Sequence, residues 1–242
     1  MSIYLLKIGE LTLKGDNRKT FERALRRNLV FMIKGTGATV ETTHGRFFVR
    51  CAPDVEPRVE DALSHLYGSA GWAKVRTCDK SVDAVLAACV EEARALAARG
   101  VTTFKIEARR TDKSFPLTSY AIMYQAGEAV LNAVAGLRVD VHRPQEVITV
   151  EIREKAYIYA AAHVGPWGLP VGTAGKGLLL LSGGIDSPVA GCRMASRGMR
   201  IDALYFHAYP YTSEDARQKV ITLANILSRY CLNIHLYTVG FT

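Results

Sequence analysis

Six residues in the last third of the chain have the types and spacing of a phosphate-binding loop. The segment Ser182-Gly183-Gly184-Ile185-Asp186-Ser187 lies between an apolar strand ending at Leu181 and a helix whose first turn contains Pro188. Glycines let a backbone approach an anion, and a helix N-terminus offers unpaired N–H groups and the positive end of its dipole. We therefore expect backbone donors to hold a pyrophosphate group, helped by the Ser182 and Ser187 hydroxyls. A tight strand-to-helix turn built from ordinary capping residues is the alternative.

Asp186 needs an explanation of its own, because a carboxylate repels phosphate. It is expected to orient the loop or to act as a partner of Mg²⁺ that bridges phosphate oxygens. No residue is assigned as a ligand of a dedicated protein metal site. Neither G-x-x-x-x-G-K-[ST] nor G-x-G-x-x-G occurs in the chain. The chain therefore lacks the residues that define P-loop NTPases and Rossmann dinucleotide-binding enzymes.

The composition is that of ordinary folded domains. Of the 242 residues, 49% are hydrophobic and 22% charged, and only 8 are proline, which excludes a disordered or collagen-like chain. No apolar run approaches the roughly 20 residues of a membrane span, so no membrane partner is expected. Five cysteines without a C-x-x-C pair argue against a disulfide framework and a structural zinc site. A reducing, cytoplasmic location fits best.

The positive charge is concentrated near the N-terminus. The formal net charge is +8, and residues 1–50 alone hold 10 basic and 4 acidic side chains. Such a patch attracts polyanions, nucleic acid first and membrane lipid second, although a merely solvated helix face is about as common.

Three blocks of elements must position these residues. The first has the order β-α-β-β-α-β, which is typical of a ferredoxin-like unit. Its strands are expected at Ile3–Ile8, Ala38–Thr43, Arg46–Cys51 and Trp72–Thr77, with helices over 18–33 and about 59–66. The second block is an independent α+β module, with a helix from the N-cap Ser81 to Gly100 and another over 119–135. Its strands are expected at 103–108, 137–141, 147–152 and 157–164.

The third block reads β-α-β-α-β, which indicates a parallel α/β sheet. Strands are expected at 177–181, 201–206 and 234–239, and helices at 188–197 and 213–230. The glycine- and proline-rich segment before it is typical of a linker. The predicted domains are 1–76, 77–165 and 177–242, with 166–176 as the linker. Because the sequence stops after the third strand, the last domain is expected to be incomplete.

A strand followed by S-G-G-x-D-S resembles the PP-loop of ATP pyrophosphatases, which adenylate a substrate oxygen and release pyrophosphate. LLSGGIDSPVA, FHAYPYTSE and GELTLKGDNR together resemble the tRNA 4-thiouridine synthetase (tRNA sulfurtransferase) family. The resemblance implies a multidomain α+β and α/β fold: a ferredoxin-like domain, a THUMP RNA-binding domain, whose profile would start as early as Pro57, and a truncated parallel-sheet PP-loop domain of the adenine nucleotide alpha hydrolase-like class.

The same resemblance implies ATP and Mg²⁺ as cofactors and assigns residues to them. Pyrophosphate would lie on Ser182, Gly183, Gly184, Asp186 and Ser187, with Asp186 as the catalytic residue. Adenine would lie against Leu180, Leu181, Tyr205 and Phe206, at the carboxyl ends of two strands, where ligands of open parallel sheets bind. Tyr205 and Phe206 could instead be core aromatics, and His207 is more often structural than a general base.

Two groups of basic residues are candidates for RNA contact. Lys14, Arg18 and Arg26 lie at or near the first helix, and phosphate contacts of this kind position an RNA without reading its sequence. Arg109, Arg110 and Lys113 cluster with Phe115 after a strand of the second block, pairing charge with a stacking surface. A solvated charged loop is the alternative for this second group.

The implied activity is adenylation of O4 of uridine-8 in tRNA and its replacement by persulfide sulfur to give 4-thiouridine, with a further link to thiamine thiazole sulfur transfer. The implied partners are tRNA and a cysteine desulfurase; the oligomeric state is open, with a homodimer as one candidate. None of the five cysteines matches the family's relay positions, and Cys192 and Cys231 are expected to pack the core. The alternatives are a small-molecule ATP pyrophosphatase, such as an amidotransferase-type synthetase, and a non-catalytic tRNA-binding fragment.

Overall fold

A computed structural model of the chain describes residues 1–13, 17–43, 46–208 and 213–240. The strands are β1 (Ser2–Ile8), β2 (Thr39–Thr43), β3 (Arg46–Cys51), β4 (Ser69–Lys74), β5 (Arg76–Cys78), β6 (Thr103–Arg110), β7 (Arg138–Val139), β8 (Glu146–Ile152), β9 (Ala156–Tyr159), β10 (His163–Val164), β11 (Lys176–Leu180), β12 (Arg200–His207) and β13 (Leu236–Gly240). The α-helices are α1 (Arg18–Met32), α2 (Glu56–His65), α3 (Val82–Ala98), α4 (Ser119–Ala133), α5 (Asp186–Ser196) and α6 (Glu214–Cys231). The chain divides into two compact units, one made chiefly of residues 6–72 and those from 164 onward, the other chiefly of residues 73–163.

The first sheet has the order β10-β4-β1-β3-β2, and it contains the predicted β-α-β-β-α-β run. Helix α1 buries Ala24, Leu25 and Leu29, which recur at helical spacing and form its apolar stripe. One strand expectation is wrong: the predicted strand Trp72–Thr77 is two strands, β4 and β5, and the second of them belongs to another sheet.

The second unit contains a five-stranded sheet of order β5-β9-β8-β6-β7, in which β6 and β8 are parallel and β8 and β9 antiparallel. Helices α3 and α4 pack on it and on each other. Both helices begin at the hydroxyl caps that their sequences contain, since Ser81 accepts from the Ala84 N–H and Thr118 from the Ala121 N–H. The predicted strand over 157–164 is divided by Ala161, whose φ of 48° ends the extended backbone.

The third sheet is parallel throughout, in the order β11-β12-β13. One face is covered by α5 and α6, and it buries residues such as Ala203 and Ile201. The opposite face is apolar and open. Its exposed side chains are Leu178, Leu180, Phe206, Tyr237 and Val239. The β-α-β-α-β expectation is confirmed for the described residues.

The predicted linker over 166–176 is tightly packed. The Leu169 N–H donates to the Ser196 carbonyl at 2.8 Å, and the N–H groups of residues 172–174 all donate to the Gly198 carbonyl. Gly168 has a φ of +77°, and a Cβ there would lie 2.2 Å from the Ser196 oxygen. The glycines of this segment therefore serve close packing and tight turns.

Within the same unit, the ferredoxin-like part and the parallel sheet share buried contacts. Asn28 is buried and donates through Nδ2 to the Val171 carbonyl at 3.0 Å. Tyr67 lies in the core of the parallel-sheet part, where burial raises the pKa of its phenol. Its ring lies 5.8 Å from that of Tyr230. These contacts hold the ferredoxin-like part against the parallel-sheet part of the same unit. No helix in the described part of the chain has the length and apolar character needed to cross a bilayer.

Candidate nucleotide site and RNA interface

The loop over 182–187 connects β11 to α5, and its first and last residues are serines that contact each other. Leu181 continues the sheet by donating its N–H to the Leu204 carbonyl at 2.9 Å. The next N–H, that of Ser182, donates to Ser187 Oγ at 3.0 Å, and the two hydroxyl oxygens lie 3.1 Å apart. Both hydroxyls thus lie at the carboxyl end of β11, as the sequence predicts for a ligand of an open parallel sheet.

The N-terminus of α5 differs from those of α3, α4 and α6. Those three helices have a Ser or Thr side chain at the N-cap that accepts a backbone N–H. Helix α5 has Ile185 at this position and, like α1 and α2, no side-chain cap. The first-turn N–H groups of Asp186 and Ser187 have no intrahelical acceptor either, because the four leading donors of a helix never do. They remain available to an external anion.

The two loop glycines are not explained by the packing of the protein. A positive φ is absent at both Gly183 and Gly184. A Cβ on either would meet its nearest neighbour at 3.6 Å, which is ordinary van der Waals contact. By contrast, a Cβ on Gly191 of α5 would lie 2.8 Å from Leu179 Cδ2, so packing requires that glycine. Glycine at 183 and 184 therefore leaves open a space that a ligand approaching the backbone would use.

Asp186 is exposed, and no described residue donates a hydrogen bond to its carboxylate. The described residues contain no group of three or more His, Cys, Asp or Glu side chains placed to hold a metal. Mg²⁺ is usually held by one or two carboxylates together with substrate phosphates rather than by an all-protein cage. A single exposed carboxylate beside the loop over 182–187 fits that pattern.

The four predicted adenine contacts divide between the two faces of the sheet. Leu180 and Phe206 are 61% and 53% exposed on the open face. Leu181 and Tyr205 are only 2% and 7% exposed, because alternation along the strand turns them towards α5 and α6. The side chains of these two residues pack the core, and their contact with adenine stays a prediction. His207 lies on the same side of β12 as Tyr205, with the two rings 6.1 Å apart.

The structure adds one residue that the sequence reasoning missed. Lys219 of α6 extends over the loop, and its Cδ is the atom that a Cβ on Gly183 would meet at 3.6 Å. No local motif marks this lysine, because it lies more than 30 residues from the loop along the chain. The packing of α6 against α5 and β12 brings it there.

The basic residues of the first block are only partly free. Lys14 lies outside the described residues. Arg18 is paired with Glu22 at 2.7 Å, and Arg26 is exposed while donating to the Val40 carbonyl at 3.4 Å. Four other basic side chains of this region are exposed: Lys19, Arg23, Arg27 and Lys34. The first block therefore presents a group of exposed cations, while Arg18 is held in an ion pair.

In the second unit, Arg109 and Lys113 are exposed, as an RNA contact requires. Arg110 has a structural task, because its Nη1 donates to the carbonyls of Phe115 at 2.9 Å and Leu117 at 3.0 Å. Phe115 itself is buried in the core of this unit. The expectation that its ring offers a stacking surface is therefore wrong.

Two other aromatic side chains of this unit are exposed instead. Tyr120 and Tyr124 are 75% and 66% exposed on α4. Their spacing of four residues places both on the same face of the helix. Exposed aromatic rings of this kind are the surfaces on which unpaired bases stack. Sequence reasoning missed them because it predicted only the bounds of this helix and not its exposed face.

The cysteines do not form a reactive group. All five are free thiols, and Cys51, Cys89 and Cys231 are buried. Burial raises the pKa of both Cys89 and Cys231 to about 12, and it also raises the pKa of Cys78 and Cys192. At neutral pH these four remain thiols rather than nucleophilic thiolates. The expected packing role of Cys192 and Cys231 agrees with this placement.

Family profiles match three consecutive parts of the chain. They are described as the ThiI ferredoxin-like domain at residues 3–71, the THUMP domain at 79–161, and Thiamine biosynthesis protein (ThiI) at 172–242. The chain belongs to the ThiI family. The family resemblance and the fold class predicted from the sequence are thereby confirmed. The domain boundaries and the individual site residues stay predictions.

Curated relatives extend over almost the whole chain. The "Probable tRNA sulfurtransferase" of Treponema pallidum (strain Nichols) is 47% identical over 242 residues, covering 99% of this chain and 60% of the relative. A protein of the same name from Caldanaerobacter subterraneus subsp. tengcongensis is 42% identical over 241 residues, covering 99% and 62%. The chain thus spans about 60% of the length of these ThiI family relatives.

Two solved structures are similar over 99% of the chain. The crystal structure of a 4-thiouridine synthetase–RNA complex with bound ATP has a TM-score of 0.90 and 34% identity, and the match covers 62% of that chain. The crystal structure of PH1313 from Pyrococcus horikoshii Ot3 has a TM-score of 0.85 and 26% identity, and the match covers 78% of it.

Proposed function

We propose that this chain supplies the nucleotide-binding loop and the RNA-binding surface of an ATP-dependent tRNA sulfurtransferase. The observation that carries the proposal is the loop over 182–187, where two glycines without a packing reason lie beside an uncapped helix N-terminus. An anion held there would receive backbone N–H groups and two serine hydroxyls. ATP is the expected ligand, which the ATP bound to the 4-thiouridine synthetase of the similar structure supports.

In the proposed reaction, O4 of uridine-8 in tRNA attacks the α-phosphorus of ATP, and the bond to the β,γ-pyrophosphate breaks. The adenylated oxygen is a better leaving group than oxide. The terminal sulfur of a persulfide supplied by a cysteine desulfurase then attacks C4, and AMP leaves with the oxygen, so that the new sulfur is bonded both to C4 and to the carrier cysteine. A second thiol attacks the carrier sulfur and breaks that S–S bond, which leaves a disulfide on the thiols and releases 4-thiouridine. The loop's share is to bind and orient the phosphate chain, which is catalysis by positioning. Sulfur transfer to a thiamine thiazole precursor would use the same sulfur chemistry, and the description of the profile at 172–242 supports that link.

Among the loop residues, Asp186 would hold Mg²⁺ together with phosphate oxygens, and the ion would neutralise charge on the phosphates. Leu180 and Phe206, exposed at the carboxyl ends of their strands, would contact adenine. On the RNA side, exposed Arg109 and Lys113 would contact phosphates, and Tyr120 with Tyr124 would stack on unpaired bases. Five free cysteines suit a reducing cytoplasm.

The proposal is tested by binding ATP–Mg²⁺ and unmodified tRNA to the same 242-residue chain, separately and together. We expect both ligands to bind at once, with tRNA affinity falling steeply as salt rises because phosphate neutralisation releases counterions. ATP binding without tRNA binding would favour a small-molecule ATP pyrophosphatase. Binding of tRNA without ATP would favour a non-catalytic RNA-binding chain. Either result would contradict the proposal.

A further inference from the structure

The phosphate loop contains no cation of its own. Between Lys176 and Arg193 the sequence has neither lysine nor arginine, and its single charge is the carboxylate of Asp186. Backbone N–H groups and a helix dipole carry only partial charges, whereas a triphosphate carries several full negative charges. Even beside the proposed Mg²⁺, which would neutralise only part of that charge, a positive side chain from elsewhere in the fold would strengthen binding of such a ligand.

Lys219 is the lysine whose side chain the fold places against this loop. Its Cδ would lie 3.6 Å from a Cβ on Gly183, so the aliphatic stem passes directly over the loop backbone. The ammonium is two covalent bonds beyond Cδ. On the next residue, Val220 is buried in the core, which fixes the rotation of α6 and hence the direction from which Lys219 leaves it.

The Lys219 ammonium is also free to bind a ligand. Among the described residues, none accepts a hydrogen bond from it or forms an ion pair with it. Its neighbour on the same helix, Arg217, is by contrast paired with Glu214 at 3.0 Å. An exposed lysine without an acidic partner, lying over an anion-binding loop, has no visible role in stability.

We propose that Lys219 binds the β- and γ-phosphates of the nucleotide through its ammonium. The inference rests on the proposed nucleotide-binding function of the loop and names a further residue of that site. Lysine suits this task because its ammonium is a compact point charge on a flexible stem, able to follow a phosphate chain. Backbone donors of the loop and the Lys219 ammonium would then hold the same anion from two sides.

The test compares Lys219→Gln with Arg217→Gln as a charge-matched control on the same helix. Calorimetric titration of the 242-residue chain would use three probes: ATP–Mg²⁺, inorganic pyrophosphate and adenosine. We expect Lys219→Gln to weaken ATP and pyrophosphate binding by about tenfold, the value of one charge-assisted hydrogen bond at an exposed site. Adenosine binding should not change, Lys219→Arg should retain most of the ATP affinity, and Arg217→Gln should bind all three probes like wild type.

Wild-type ATP affinity in Lys219→Gln would overturn the role of Lys219 and leave the nucleotide-binding function standing. An equal loss of ATP and adenosine binding would also overturn it, because a phosphate contact cannot affect a ligand without phosphate. Failure of the wild-type chain to bind either ATP or pyrophosphate would overturn the nucleotide-binding function and this inference with it.

Discussion

Replacing Gly183 by alanine tests whether this glycine is required for ligand binding or for folding. The added methyl group would lie 3.6 Å from Lys219 Cδ, and the backbone of Gly183 is outside the left-handed region. We therefore expect no loss of folding stability in this variant. Glycine-to-alanine changes at compatible positions stabilise proteins by about 0.4–1 kcal/mol, because the unfolded chain has fewer conformations to lose. For a chain of this size that is a rise in Tm of roughly 1–4 °C.

Nucleotide binding by Gly183→Ala should respond in the opposite direction. The methyl group would occupy the space through which a phosphate oxygen reaches the loop N–H groups, and one hydrogen bond to a charged group contributes about 1.5–3 kcal/mol. ATP affinity should therefore fall about tenfold to a hundredfold. The assays are thermal unfolding and calorimetric titration with ATP–Mg²⁺, with Gly127→Ala in α4, where a Cβ meets nothing within 4 Å and φ is not positive, as the control. Unchanged ATP affinity would refute the ligand explanation of this glycine, and a fall in Tm of several degrees would refute the steric reasoning.

Four further outcomes are expected. Asp186→Asn should weaken ATP binding in the presence of Mg²⁺. In EDTA it should not, because loss of a negative charge favours binding of the nucleotide. Equal weakening in both conditions would show that Asp186 does not hold the metal. Replacing Tyr120 and Tyr124 by alanine should weaken binding of a single-stranded RNA end at least about tenfold by lost stacking, and leave a blunt duplex unaffected; equal loss for both RNAs would exclude stacking. Gly168→Ala should lower the free energy of unfolding by roughly 2–4 kcal/mol, because the backbone there is left-handed and a hydrogen bond would be lost. Gly172→Ala should lower it by only about 1 kcal/mol, because Gly172 is open to a Cβ. Similar losses of unfolding free energy for the two variants, measured by denaturant titration, would contradict the packing argument. The chain alone, incubated with ATP, Mg²⁺, tRNA and a persulfide donor, should form no 4-thiouridine over multiple turnovers. The reason is that four of its thiols have raised pKa values and the fifth is buried. Detection of 4-thiouridine by nucleoside analysis would contradict this expectation.

Elements governed by neighbouring residues could be predicted from the sequence. The hydroxyl caps at Ser81 and Ser213, the apolar stripe of α1 and the strand-loop-helix around Gly183 all depend on hydrogen bonds and periodicity within a few residues. Local patterns of this kind are the same in any fold that contains them. The order of the three blocks follows from them, whereas the family resemblance rests on the motifs LLSGGIDSPVA, FHAYPYTSE and GELTLKGDNR.

Side-chain exposure could not be predicted in the same way. Strand β12 is apolar at most positions, so its sequence does not say which face the helices cover, and both a core position and a ligand contact stayed open for Tyr205. Phe115 looked like part of a polar loop, but it fills the core of its unit. The segment over 166–176 had the composition of a linker, yet Gly168 is there because a carbonyl oxygen from α5 leaves no room for a Cβ.

The sequence by itself determined the phosphate loop, the three-part organisation and the surplus of positive charge, because each depends on residues close together in the chain. Only the tertiary structure decided which of the candidate residues can reach a ligand. It turned Leu180 and Phe206 outward and Tyr205 inward, and it placed Lys219 over a loop more than 30 residues away in sequence. The physical reason is that burial and proximity arise from packing between elements, and packing brings together residues that no local pattern relates.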